Sequence, residues 1–205
     1  LCEDREGGIW VGSYFGGVDY YPKSYTYFEK YYPKDGDNNL HGKRVREFCE
    51  DNKGILWIGT EDGGLNRFDP KTKTFSFFAP SFGFTNIHGL CMVGDKLWVG
   101  TFSKGLKIVD TNTGNILKTY QKNDSPRSLI DNSIFAICRT TTGDIYLGTM
   151  FGLLRYNEQT DDFDRIEELA GRFVYDIKED SGGNLWLATY VNGAYCYNVS
   201  EKKWK

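Results

Sequence analysis

The chain has 205 residues and a formal net charge of −3, with 26% charged residues of both signs interspersed. That balance argues against a nucleic-acid protein, which carries a basic patch or stripe, and the absence of any run of 18 or more apolar residues argues against a membrane-spanning helix. The 24 glycines come with 14 tyrosines, 14 phenylalanines and 5 tryptophans but only 5 prolines, which excludes a collagen or a proline-rich linker and suits many short strands joined by tight turns. The chain opens in mid-pattern at Leu1-Cys2-Glu3-Asp4, without an initiator Met or a signal peptide, and reads as a piece of something longer.

Taken in chain order, the same anchor recurs five times. It is an aromatic residue followed two residues later by Gly or Ala and then Ser or Thr: Trp10-Val11-Gly12-Ser13, Trp57-Ile58-Gly59-Thr60, Trp98-Val99-Gly100-Thr101, Tyr146-Leu147-Gly148-Thr149 and Trp186-Leu187-Ala188-Thr189. The spacings are 47, 41, 48 and 40 residues, and periods of ~40–50 with four strands per unit mark β-propeller blades. Other positions keep phase. Cys2, Cys49, Cys91, Cys138 and Lys178 precede the anchors by seven or eight residues. Val18, Leu65, Leu106, Leu153 and Ala194 follow them, and then Phe28, Phe75, Ile116, Phe163 and Trp204; repeat four is one residue short between Thr149 and Leu153. Each unit therefore reads as four antiparallel strands, A to D, with the anchor on B. The predicted fold is all-β, a β-propeller of five four-stranded antiparallel blades over approximately residues 1–30, 45–79, 88–120, 134–166 and 174–205. The anchor aromatic is expected to be buried between neighbouring sheets, so that no blade is stable alone.

Length varies in one place, the connection from strand D of one blade to strand A of the next, which runs 21, 16, 22 and 15 residues. Insertions that vary per repeat map to one face, often the binding face, and the B–C turns project on that face too. The candidate ligand-binding residues there are His41, Arg44, His88, Asn132 and Arg172 from the D–A connections, and Tyr14, Asp62, Phe102, Lys104, Phe151 and Tyr190 from the B–C turns. Aromatic rings stack on the apolar face of a pyranose, and planar polar groups bond its hydroxyls, so this mixture points to a sugar.

The repeat resembles the two-component regulator propeller repeat. The resemblance is carried by Phe48-Cys49-Glu50-Asp51-Asn52-Lys53-Gly54-Ile55-Leu56-Trp57-Ile58-Gly59-Thr60, by Ser128-Leu129-Ile130-Asp131-Asn132-Ser133-Ile134 at the entry to a strand A, and by Glu179-Asp180-Ser181-Gly182-Gly183-Asn184-Leu185-Trp186. It covers essentially the whole chain. Repeat three departs most, with Met92-Val93-Gly94-Asp95 shortening the A–B turn by one, a difference read as ordinary variation between repeats. The resemblance implies the extracytoplasmic, periplasmic sensor portion of a Bacteroides-type hybrid two-component system. In that family the propellers are commonly seven-bladed, so the five units are expected to be a segment of a larger, seven-bladed propeller. The implied ligand is an oligosaccharide released from a polysaccharide. The implied partners are the remaining blades and the downstream domains of the parent chain, including a histidine kinase, with a homodimer as one assembly this allows and with no direct nucleic-acid binding by this segment.

No catalytic residues, cofactor or metal are expected. His41 and His88 are the only histidines, lie in non-equivalent loops, and show no His-x-x-x-His spacing; no Cys-x-x-Cys occurs. Four of the five cysteines share one repeat position. Residues so placed do not face each other, a disulfide needs Cα atoms within ~7 Å, and the simple reading is a small buried hydrophobe. The acidic pairs Glu3-Asp4, Glu50-Asp51 and Glu179-Asp180 recur in register and so read as turn residues on the face opposite the candidate site. Two other classes stay open: a propeller enzyme, either a polysaccharide or antibiotic lyase or quinoprotein-like, and a protein-interaction scaffold.

Overall fold

Short strands bounded by glycine, asparagine and aspartate fold into successive hairpins, and nineteen of them form five antiparallel sheets among the described residues. The computed structural model describes residues 1–13, 16–23, 29, 31–33, 36, 38–77, 85–198, 201, 203 and 204. The chain divides into two units, 1–31 and 32–205. The first holds a sheet of β1 (Cys2–Glu3), β2 (Ile9–Ser13) and β3 (Gly17–Tyr21), with the Trp10 and Tyr20 ring centroids 4.3 Å apart. The fourth strand expected at Phe28 falls outside the described residues.

The second unit holds four four-stranded sheets, each in sequential order. They are β4 (Val45–Glu50), β5 (Leu56–Thr60), β6 (Gly64–Asp69) and β7 (Thr74–Phe77); then β8 (Ile87–Val93), β9 (Lys96–Thr101), β10 (Leu106–Asp110) and β11 (Ile116–Tyr120). Next come β12 (Ile134–Arg139), β13 (Ile145–Thr149), β14 (Gly152–Asn157) and β15 (Asp162–Ile166). Last come β16 (Val174–Glu179), β17 (Leu185–Thr189), β18 (Ala194–Asn198) and β19 (Lys203–Trp204). The inner strands β4, β8, β12 and β16 pack side by side.

The repeat positions found in the sequence are cross-strand neighbours. Cys2 pairs with Trp10, Cys49 with Trp57, Cys91 with Trp98, Cys138 with Tyr146 and Lys178 with Trp186. All five cysteines are free, and burial pushes the Cys91 and Cys138 thiols up to about 11. Each buried anchor belongs to the core of the following sheet. Trp57 packs with Ile87, Leu90, Leu97, Val99 and Val109; Trp98 with Ile134, Ile145 and Leu147; Tyr146 with Val174, Ile177, Leu185 and Leu187.

The anchor glycine explains how the sheets come so close. A Cβ on Gly59 would lie 2.6 Å from Ile87, one on Gly100 2.8 Å from Ile134, and one on Gly148 2.9 Å from Val174. In each case the first residue of the next inner strand lies against bare backbone. The expectation of five buried anchors needs correction, because Trp10 and Trp186 are 43% and 50% exposed. The first sits in a unit with a single sheet, and the sheet of the second has no successor among the described residues. At the close-approach position that last sheet carries Ala188, which is exposed.

The recurring aspartates are turn residues, as expected, and they cap the anchor. Asp51 Oδ1 accepts from the Lys53 and Ile55 backbone N–H groups, and its Oδ2 accepts from the Trp57 indole N–H at 3.1 Å. Asp4 does the same for Trp10 at 2.9 Å, and Asp180 for Trp186 at 2.9 Å.

Candidate functional site

The threonine that ends each anchor fixes the B–C turn. Thr60, Thr101, Thr149 and Thr189 donate their hydroxyls to the carbonyls of Gly64, Gly105, Gly152 and Gly193 at 2.7–3.0 Å. Backbone hydrogen bonds then tie the four B–C turns of the 32–205 unit to D–A connections: Glu61 N–H to Arg44 O, Phe102 N–H to Asn86 O, Gly171 N–H to Phe151 O and Tyr190 N–H to Phe173 O. The two loop families expected on one face are therefore joined there.

At this end each inner strand carries a β-bulge. The register breaks between Val45 and Glu47, Ile87 and Gly89, Ile134 and Ala136, and Val174 and Asp176. The extra residues are Arg46, His88, Phe135 and Tyr175. A bulge leaves one residue unpaired and re-aims its side chain, and here the four re-aimed side chains converge. His88 meets the edge of Phe135 at 4.7 Å, Phe135 lies 6.0 Å from Tyr175, and the Arg46 guanidinium sits 4.4 Å over the Tyr175 ring. Arg46 and Tyr175 come from the first and last sheets of the unit, so this contact brings the two ends of the inner-strand series together. Phe102 and Phe173 join the cluster, and Tyr190 stacks on Phe173 at 5.4 Å. Phe102 is 42% and Tyr190 70% exposed, so the cluster grades from a buried floor to an open rim.

The polar inventory of these connections is incomplete. Both ring nitrogens of His88, Oδ1 of Asn86 and Oδ2 of Asp131 are buried and have no hydrogen-bond partner among the described residues. Buried polar groups are nearly always satisfied, so exceptions ask for an explanation such as a ligand or water. Burial, helped by the Arg46 charge, lowers the His88 pKa to about 4, against an opposing pull from Glu61. The imidazole is thus neutral at pH 7, with one donor and one acceptor unspent.

A group whose folded pKa is depressed contributes stability above its unfolded pKa and loses it as pH falls through the folded value. His88, unfolded near 6.5, should withdraw stability between pH 6.5 and 4. Asp180 is held at about 2 by the Trp186 indole and the Asn184 side chain, and Asp161 at about 2 by Lys118 and Tyr120. Those two should withdraw theirs between about pH 4 and 2. Thermal melts against pH should show two stages, and His88→Gln should abolish the first alone. A single-stage profile in the parent chain would contradict the assignment.

The structure brings His88, Phe102 and Tyr190 of the sequence-predicted residues together. Others hold the loops. His41 stacks on Phe77 at 4.2 Å, while Asn66 brackets its backbone. Asp62 accepts from the Lys43 and Arg44 backbone N–H groups, and Arg44 forms ion pairs with Glu61 and Asp62 at 3.6 and 3.9 Å. Asn132 accepts from the Lys122 N–H at 2.7 Å, and Lys104 donates to Thr85 at 3.2 Å. Phe151 and Arg172 are exposed in separate loops, and Tyr14 lies outside the described residues. Arg46, Phe135, Phe173 and Tyr175 were missed. The signal for three of them was the residue after the apolar one that opens each strand A. No group of three or more His, Cys, Asp or Glu side chains among the described residues is placed to hold a metal, and neither histidine bonds a carboxylate there.

The two-component regulator propeller model matches residues 39–62 and 168–191. No curated protein matches the sequence. Among solved structures, the extracellular domain assigned to the hybrid two component system BT3049 from B. thetaiotaomicron is 25% identical with a TM-score of 0.69, over 99% of this chain and 27% of that one. That assigned to the hybrid two component system BT4673 from the same organism is 20% identical with a TM-score of 0.73, over 100% of this chain and 30% of that one, and shares the fold. Virginiamycin B lyase from Staphylococcus aureus, 13% identical with a TM-score of 0.60, also shares the fold, over 100% of this chain and 67% of that one. The chain thus spans less than a third of the length of the two sensor chains it matches. No helix among the described residues is long and apolar enough to cross a membrane.

Proposed function

We propose that this chain is the ligand-binding part of a periplasmic two-component sensor, that its ligand is an oligosaccharide bound where the D–A connections meet the B–C turns, and that the signal passes to a histidine kinase elsewhere in the parent protein. The observation that carries the site is the convergence of the four bulge residues beside the exposed rings of Phe102 and Tyr190, with both nitrogens of His88 unspent among the described residues. Aromatic faces to stack on sugar rings, with a neutral imidazole and the Arg46 guanidinium beneath, are the chemistry a pyranose needs. Small-ligand sites are lined mostly by apolar and aromatic side chains with a few placed polar groups, and this cluster has that composition. The similarity to sensor ectodomains supports the signalling role.

The test is a glycan panel against the intact parent ectodomain, read by thermal shift and calorimetry. One glycan class should raise the melting temperature. Tyr190→Ala removes an exposed ring whose loss should leave the fold intact, and should weaken that glycan tenfold or more, which is ~1.4 kcal/mol. A panel without any hit, or a hit indifferent to Tyr190→Ala and Phe102→Ala, would sink the proposal.

A further inference from the structure

At the opposite end of the sheets, a cleft of about 1000 Å³ opens between the β8–β11 and β12–β15 sheets, with Trp98, Ile108, Tyr120 and Tyr156 among its lining residues. The sequence of this repeat differs beside the cleft. The A–B turn of this repeat is the two-residue hairpin Gly94-Asp95, closed by the Val93–Lys96 pair, and it has no counterpart of Asp4, Asp51 or Asp180. The indoles of Trp10, Trp57 and Trp186 are each capped by that aspartate at 2.9–3.1 Å. Trp98 is 5% exposed and lines the cleft, and its indole N–H has no partner among the described residues. A carboxylate that repeats one, two and five supply is missing beside this cleft.

The charges around the cleft fit the same absence. Arg155 is paired with Asp144 at 2.8 Å, and Asp161 takes hydrogen bonds from Lys118, Tyr120 and Tyr156, which clasps the two sheets together. Lys96 and Arg139, one from each sheet, line the cleft with no ion pair among the described residues. Asp95 and Glu158 are also unpaired there, so the field is mixed, and selectivity rests on where an anion docks rather than on net charge.

We propose that this cleft is a second binding site, for a small ring-bearing carboxylate of about disaccharide size. The ligand's carboxylate takes the place of the missing turn aspartate, accepts the Trp98 indole N–H and faces Arg139 and Lys96, while its ring lies against Tyr156. The site is separate from the loop face and does not depend on the sensor reading.

The experiment titrates the chain with digalacturonic acid, with its neutral counterpart galactobiose, and with citrate as a ringless carboxylate, followed by calorimetry and tryptophan fluorescence. Digalacturonic acid should bind with a fluorescence change, and galactobiose and citrate at least tenfold more weakly. Arg139→Ala should weaken digalacturonic acid tenfold or more. Val93→Asp, which returns a carboxylate to the repeat position of Asp51, should weaken it similarly in a variant with parental circular dichroism. Tyr190→Ala on the loop face should change nothing, which separates this site from the one proposed above. No binding of digalacturonic acid at millimolar concentration, equal binding of galactobiose or citrate, or full affinity in both Arg139→Ala and Val93→Asp would overturn the proposal.

Discussion

Trp57→Ala should destabilise the 32–205 unit by about 3–5 kcal/mol, the range for truncating a large buried aromatic. Trp57 is fully buried, sits among five residues of the next sheet, and gives its indole N–H to Asp51. Removing it leaves a cavity at the junction of two sheets and strands a carboxylate lone pair. Because the side chains around it are also fully or nearly fully buried, little can collapse inward. Trp186→Ala is the matched control. It has the same aspartate cap but is half exposed, so it should cost well under half as much. Urea unfolding of both variants decides the matter, and equal losses would mean that the anchor's contribution is local to its own sheet.

Gly100→Ala is the second large effect, expected to cost about 1–3 kcal/mol as an overpacking substitution. Gly→Ala at an unstrained strand position ordinarily stabilises by ~0.4–1 kcal/mol through the unfolded chain, so the sign itself is diagnostic. The new methyl would meet Ile134 Cγ2 at 2.8 Å and the Ile134 carbonyl oxygen at 3.0 Å. Ile134 is fully buried, and its carbonyl is backbone, so neither can swing aside. The sheets must part instead. A stabilised or neutral Gly100→Ala, measured by the same unfolding curves, would refute the close-approach account of the anchor glycine.

Registers and turns were legible in the sequence because they are local. The spacing of Cys49 and Trp57 is a hairpin's arithmetic, and the structure pairs them. The one-residue deletion in repeat four shows up as a shorter turn, Thr149 pairing with Gly152 where Thr60 pairs with Gly64. The site was only half legible. A bulge inserts one residue into a two-residue period, so Arg46, Phe135 and Tyr175 look like strand residues until the pairing is known. His88 was found because histidine is rare, not because its position was understood. Burial of an anchor is also not written in the turn that caps it: Trp57 and Trp186 share the capping aspartate and differ in what lies beside them. The missing aspartate before Trp98 was visible, but its meaning depended on the cavity.

The placement of each anchor has a directional consequence. Trp57, Trp98 and Tyr146 each project into the core of the sheet that follows, so dependence between sheets runs one way along the chain. Deleting a sheet would strip its predecessor of the surface that shelters its aromatic residue, while its successor would lose mainly a lid. A repeat array of this kind can lengthen by adding units at its C-terminal end, each new sheet covering an indole already in place. Trp186 is capped by its aspartate in the same way and stands half exposed.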